Sequence, residues 1–305
     1  MENLSKNIIS TIVYYDVLDF PLTSFEIWKY LIECQSKTEK YDLYSIIQTL
    51  NSEDIKKNIE EFRGFYFLKG RKNLVEARIA RNKISEIKFK LIRKIVSWLK
   101  YAPFLRMIAV TGRVAMKNAG AKSDLDFLIA IKNGRIFTGR FFVTLISQLL
   151  KKRRHGKKIT NRACLNYYIS DKNMGINLKD LFSSSEYSFI FPIYNFPVFQ
   201  SFQQNNQWIR NYRPDFEPDT IPNLKIVQDN FFSRNIRKIA EIILDSNFLE
   251  KLMKKWQMAR IIKDPRTYKQ GSAVSASDEN LIFLPDPQGP KIYEKYQEKL
   301  KGLSF

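Results

Sequence analysis

Histidine is nearly absent: His155 is the only one, which excludes a multi-histidine metal site within one chain. The two cysteines, Cys34 and Cys164, lie far apart with no CxxC spacing, which argues against a disulfide framework and a structural zinc site. Any resident metal is then expected to take oxygen ligands, which favours magnesium or manganese. No apolar run approaches the ~20 residues of a membrane-spanning helix, so no transmembrane segment is expected. The opening MENLSKNIIS lacks the basic-then-apolar layout of a secretory signal, so a cytoplasmic location is expected. Acidic residues are scarce relative to basic ones, 31 against 51, a net charge of +20. Such a surplus concentrates polyanions near the surface. Nucleic acid, nucleotides and an anionic lipid surface are all compatible with it, as is a Lys-rich composition that serves solubility alone.

What is present supports a folded chain. With 305 residues and 44% hydrophobic composition, the chain can build two or three domains with a substantial core. Residues 1–81 read as a small separate domain. Ile8, Ile9, Ile12 and Val13 keep helical spacing, Pro21-Leu22-Thr23 breaks that helix, and FEIWKYLI, YDLYSIIQTL and SEDIKKNIEEF follow as helical segments. In GFYFLKGRKNLVEARIA two β-prone runs flank Gly70-Arg71-Lys72-Asn73, which predicts a hairpin with a basic tip. Helices followed by a hairpin resemble a winged helix-turn-helix domain in element order. That resemblance implies DNA binding, dimerisation or substrate docking.

Residues 82–103 are predicted as a connecting helix. Residues 104–215 alternate strand and helix: strands at 105–110, 125–131 and 163–169, a short helix at 111–119 and a longer one at 136–152. In that longer helix Phe137, Phe141, Leu145 and Leu149 are expected to share the buried face. The overall class is α+β or α/β, a mixed sheet with helices. Residues 216–305 are expected to form a C-terminal helical region, with Ile236, Ile239, Ile243 and Leu244 on one stripe and a break near Ser246-Asn247.

The informative stretch is VTGRVAMKNAGAKSDLDFLIA, residues 110–130. Residues two apart on a strand point the same way, so Asp124 and Asp126 present two carboxylates on one side at the start of a hydrophobic strand. Like charges so close repel, and a divalent cation between them resolves the repulsion. Gly112 follows one strand and precedes a short helix, where the chain must turn tightly and can approach a phosphate.

A hydrophobic strand, a Gly, a spacer of about a dozen residues and Asp-x-Asp entering a second strand resemble the polymerase β-like nucleotidyltransferase superfamily over residues 105–170. That resemblance implies transfer of a nucleoside monophosphate from a nucleoside triphosphate to an acceptor hydroxyl or phosphate. It assigns Asp124 and Asp126 to magnesium and catalysis, and Gly112, Arg113 and Ser123 to the triphosphate. Two metal ions ~3.5–4 Å apart would align the attacking and leaving oxygens. The family's third carboxylate comes from a later strand, where ACLNYYIS offers Asn166, with Asp171 just beyond. Arg113 stands where the family usually has Ser or Gly, and Asn166 cannot act as a base. A nucleotide-sensing or DNA-binding regulator without turnover is therefore the alternative. The run KKRRHGKK at 151–158 could guide an anionic acceptor, and Asn206, Trp208 and the aromatics of 187–202 could line an acceptor pocket.

Overall fold

Leu22 and Tyr66 exchange backbone hydrogen bonds at 3.1 and 2.7 Å, tying the segment that follows the first helix to a hairpin more than forty residues later. The computed structural model describes residues 2–33 and 40–303, and Cys34 lies outside the described residues. Helix α1 (Glu2–Val17) stops before Pro21, and Thr23 starts α2 (Ser24–Lys29) in a capping box with Glu26. Asp42 caps α3 (Leu43–Leu50), and α4 (Glu53–Lys56) is one turn. Strands β1 (Ile59–Phe62) and β2 (Phe65–Leu68) pair antiparallel.

The hairpin turns at Arg63-Gly64, not at residues 70–73. Both turn residues have positive φ, +53° and +77°, as a tight two-residue connection between twisted strands requires. Gly70 also has positive φ, but it ends the hairpin. From Asn73 the chain runs as one 27-residue helix, α5 (Asn73–Leu99), with no Gly or Pro to interrupt it. The connecting helix therefore begins at Asn73 rather than at residue 82, and LVEARIA is helical.

The central sheet has the order β6-β3-β4-β5-β8-β7. In chain order its surroundings are β3 (Leu105–Val110), α6 (Gly112–Ala115), β4 (Leu125–Ile131), α7 (Ile136–Leu149), β5 (Ala163–Ser170), α8 (Leu181–Ser188), β6 (Phe191–Tyr194) and α9 (Phe196–Asn205). Then come α10 (Phe231–Leu244), α11 (Asn247–Lys263), β7 (Ser275–Ala276), β8 (Asn280–Ile282) and α12 (Gly289–Lys301). Among the paired strands of this sheet in the described residues, β4 and β5 alone run parallel. Strand β4 is buried on both faces, which explains its near-continuous apolar run. Leu125, Phe127, Ile129 and Ile131 join a core with Phe89, Ile92, Phe137 and Val143. Leu128 and Ala130 face the other way, toward Phe196, Phe199 and Phe202.

In α7 the buried face runs through Ile136, Phe137, Val143 and Ser147, while Leu145 and Leu149 are exposed. Gly139 is what brings this helix against β4: a Cβ there would lie 2.5 Å from Ile131 Cγ2. The C-terminal region does not stand apart. Strands β7 and β8 extend the sheet, and α12 packs on the N-terminal core, where Tyr296 hydrogen-bonds Ser10 and Lys299 pairs with Asp16. These strands are two and three residues long, too short to leave a periodic signal. Among the described residues no helix is long and apolar enough to cross a membrane.

Candidate functional site

Strand β3 leads directly into the site. After Val110, the Thr111 amide donates to the Asp126 carbonyl at 3.1 Å, and Gly112 turns the chain with φ +63°. The Asp126 carboxylate fills the space beneath that turn: a Cβ on Gly112 would sit 2.9 Å from Asp126 Oδ2. Gly112→Ala therefore meets left-handed strain and a collision together. It is expected to lower stability by about 1–3 kcal/mol and to displace the carboxylate. Chemical denaturation checks this, and an unchanged midpoint would show that the turn relaxes freely.

Asp124 and Asp126 emerge on one side of β4 as the sequence predicts. Asp126 is pressed against protein, and its carboxyl is pushed up to about 7 by burial and then by the Asp124 charge. Asp124 is held by Arg154, whose Nη1 lies 2.5 Å from its Oδ2. The strand beside Asp126 contributes Cys164, its register partner on β5. Arg154 Nη1 lies 3.3 Å from Cys164 Sγ. Ligand atoms of Asp124, Asp126 and Cys164 all lie within 4.8 Å of one another. Burial and the two aspartates push the thiol well up, so it stays protonated.

A further carboxylate comes from helix α8. Glu186 accepts a hydrogen bond from Thr111, and its carboxyl is pushed up to about 7 by burial, by Asp126 and by Asp180. Behind the site Lys88, 2% exposed, clamps the loop that carries Asp124. Its ammonium donates to the carbonyls of Ala121 (3.2 Å) and Ser123 (2.8 Å) and to Asn161 Oδ1 (2.6 Å). Burial holds its pKa below the usual lysine value.

The other sequence-predicted residues divide. Ser123 serves the turn: its hydroxyl accepts the Gly120 amide at 3.0 Å. Arg113 is exposed on the four-residue α6. Asn166 lies two residues past Cys164, where its carbonyl accepts the Phe283 amide at 2.8 Å. Between Asp126 and Leu128 the β4–β5 register shifts, so counting by twos along β5 fails to find the residue beside Asp126, which is Cys164. Asp171 is at the far end of the sheet: its amide donates to Ile131 at 2.9 Å and its Oδ1 accepts from Asn133 at 2.8 Å. Asn206 is fully buried and binds the backbone of Ile176, Met174 and Phe202, with Trp208 donating to it, so this pair locks the core.

The basic run does more than solvate. Backbone bonds Arg154 N to Ala163 O (2.9 Å) and Ala163 N to Lys152 O (2.7 Å) lay it along β5 and carry Arg154 to Asp124. Beside it opens a cleft of about 620 Å³ lined by Arg140, Arg153, Arg154, Arg260, Arg266 and Trp256. Arg140 sits 4.3 Å over the Phe283 ring and Arg260 4.1 Å over the Trp256 ring, leaving cations beside aromatic faces. Cys164 and Arg154 line this cleft as well as the carboxylate cluster.

Residue reasoning missed Glu186, Cys164, Arg154 as a partner of Asp124, and Lys88. Glu186 left one signal, as the sole acid of an α8 otherwise made of serines and hydrophobic residues. Comparison with protein-family models, curated proteins and solved structures gives no match to this chain.

Proposed function

We propose that the chain is a magnesium-dependent nucleotidyltransferase that uses Asp124 and Asp126 to bind a metal–nucleoside triphosphate. The observation that carries this reading is the pair of carboxylates at the start of a buried strand, with Asp126 packed under the Gly112 turn and its carboxyl raised by burial and by the Asp124 charge. Two hard oxygen donors suit magnesium, for which the soft Cys164 sulfur beside them is a poor ligand. Bound there, magnesium would polarise the triphosphate. Arg154 pairs with Asp124 and is placed to turn its guanidinium to a phosphate instead. Glu186, with its carboxyl near 7 and no basic side chain among its hydrogen-bonding or charged neighbours, is suited to take the proton from an acceptor hydroxyl. The acceptor oxygen then forms its bond to the α-phosphorus as pyrophosphate leaves. The arginine cleft suits an anionic acceptor or the outer phosphates.

A second reading is supported by Cys164, which stands beside Asp126 where a third carboxylate would be sought on β5. The chain would then bind nucleotide without transfer and act as a sensor. DNA contact through the N-terminal helices gains little support, because α3 (LYSIIQTL) carries no cation and β1 carries Glu60 and Glu61.

The test is thermal stability with ATP, GTP, CTP or UTP, with and without magnesium. A ligand at a hundred times its Kd should add about 2.7 kcal/mol, a shift of a few degrees. A magnesium-dependent shift that Asp124→Ala/Asp126→Ala abolishes supports the site. No shift with any triphosphate removes both readings. Release of pyrophosphate with candidate acceptors separates transfer from sensing.

A further inference from the structure

Helix α10 is docked by its polar side. Glu241 accepts the Phe104 amide at 2.8 Å and pairs with Arg106 through both oxygens, at 2.8 and 3.0 Å. Arg237 pairs with Asp229 at 2.6 Å and donates to the Lys100 carbonyl at 2.7 Å, and Ser233 is fully buried. The apolar side faces outward. Phe232, Ile236, Ile239 and Ile243, spaced i, i+4, i+7 and i+11, are 69, 50, 58 and 73% exposed. Phe231 and Ile242 widen the stripe and are exposed as well. A helix that rests on a protein core alone does the reverse. Of the stripe predicted from the sequence, Ile236, Ile239 and Ile243 lie on this outward side, where among the described residues nothing covers them, while Leu244 packs against the core.

Helix α11 repeats the arrangement. Glu250 and Gln257 bond inward to α7, while Phe248, Leu252 and Trp256, every fourth residue, are exposed. The charges decide what suits this surface. The acids of the two helices and their link are Glu241, Asp245 and Glu250, and each is bonded to the body of the chain. Asp245 is the one exposed acid among them and is paired with Lys132 and Arg135, whereas Arg234, Lys238, Lys251 and Lys255 are exposed cations. A second copy would bring like charges together around the stripe, on chains that each carry +20.

We propose that the outward stripe of α10 binds an anionic lipid surface. Phe232, Ile236, Ile239 and Ile243 enter the boundary between headgroups and acyl chains, and the flanking cations meet lipid phosphates. Amphipathic helices with large apolar residues on one side and Lys or Arg beside them lie in the membrane plane in this way. The proposal does not depend on the nucleotide site.

Co-sedimentation of the full chain with vesicles tests it. Phosphatidylcholine vesicles containing one quarter phosphatidylglycerol should carry the protein down, and phosphatidylcholine alone should not. Ile236→Asp/Ile239→Asp should reduce the bound fraction at least ~tenfold, and Arg234→Glu/Lys238→Glu should weaken binding most at low salt. The substituted side chains are exposed, so melting curves should match wild type, and Phe232→Ser gives a milder second variant. Three results overturn the proposal: no binding of wild type to the anionic vesicles; equal binding by the aspartate variant, which would assign attraction to the basic surface alone; or a wild-type dimer that the aspartate variant splits, with no vesicle binding.

Discussion

In EDTA the protein should be less stable at pH 8 than Asp126→Asn, and the variant should lose the response to magnesium. The sign follows from the direction of the shift. Burial and the Asp124 charge raise the Asp126 carboxyl to about 7 in the folded chain, against about 3.9 when unfolded. The folded state therefore favours the protonated acid. Its contribution is complete below about pH 4 and is lost as pH rises through about 7. Glu186 titrates in the same direction near the same pH, and the two carboxyls feel each other, so their losses do not simply add. Wild type should lose roughly 2–4 kcal/mol between pH 5 and pH 8 through these groups. Other titrations contribute to the raw profile, so the quantity to read is the wild-type loss minus the variant loss, from urea unfolding. Magnesium at pH 8 should restore wild type, because a cation between the carboxylates replaces the missing proton, and should leave Asp126→Asn unchanged. Parallel profiles for the two proteins would remove the argument that Asp126 is held at a charge cost.

Glu250→Ala should cost about 2–4 kcal/mol, although Glu250 is remote in sequence from what it stabilises. Helix α7 begins with Arg135 at its N-cap, which supplies no capping hydrogen bond. The carboxylate of Glu250, reaching over from α11, accepts the amides of Phe137 (2.9 Å) and Thr138 (3.0 Å) and the Thr138 hydroxyl. A negative charge at a helix N-terminus is favourable, and these donors are otherwise orphaned. Thr138 is fully buried, so alanine leaves its amide and hydroxyl without an acceptor. The helix cannot shift to find water, because Gly139 lies against Ile131. Glu250→Gln keeps one acceptor oxygen and should recover part of the loss. Equilibrium denaturation measures both, and a cost under ~0.5 kcal/mol for alanine would mean that solvent takes over the cap.

Local periodicity determined the parts of this chain that a short window can specify. The β3–Gly112–β4 unit follows from two apolar runs, a residue free to take positive φ, and two acids placed two apart. Helix starts at Thr23 and Asp42 follow from side chains that satisfy the first amides. The hairpin shows where such reasoning ends. Gly64 and Gly70 both take positive φ, and only the pairing of IEEF with FYFL decides which one turns the strands.

The site needed distance in space. Cys164 reaches Asp126 through parallel pairing with a register shift, Glu186 through the packing of α8, and Lys88 through three acceptors, two of them carbonyls 33 and 35 residues away. Pairwise contacts of this kind leave no periodic mark on either segment. The same limit applies to α10. Its sequence determined that Ile236, Ile239 and Ile243 share a stripe; only the tertiary structure decided that the stripe faces outward, that Phe232 joins it and that Leu244 turns to the core. The reason is energetic competition for the inner face: Glu241 and Arg237 find partners in the half-buried Arg106 and Asp229 and in the Phe104 amide, and the bonds they make turn the helix over.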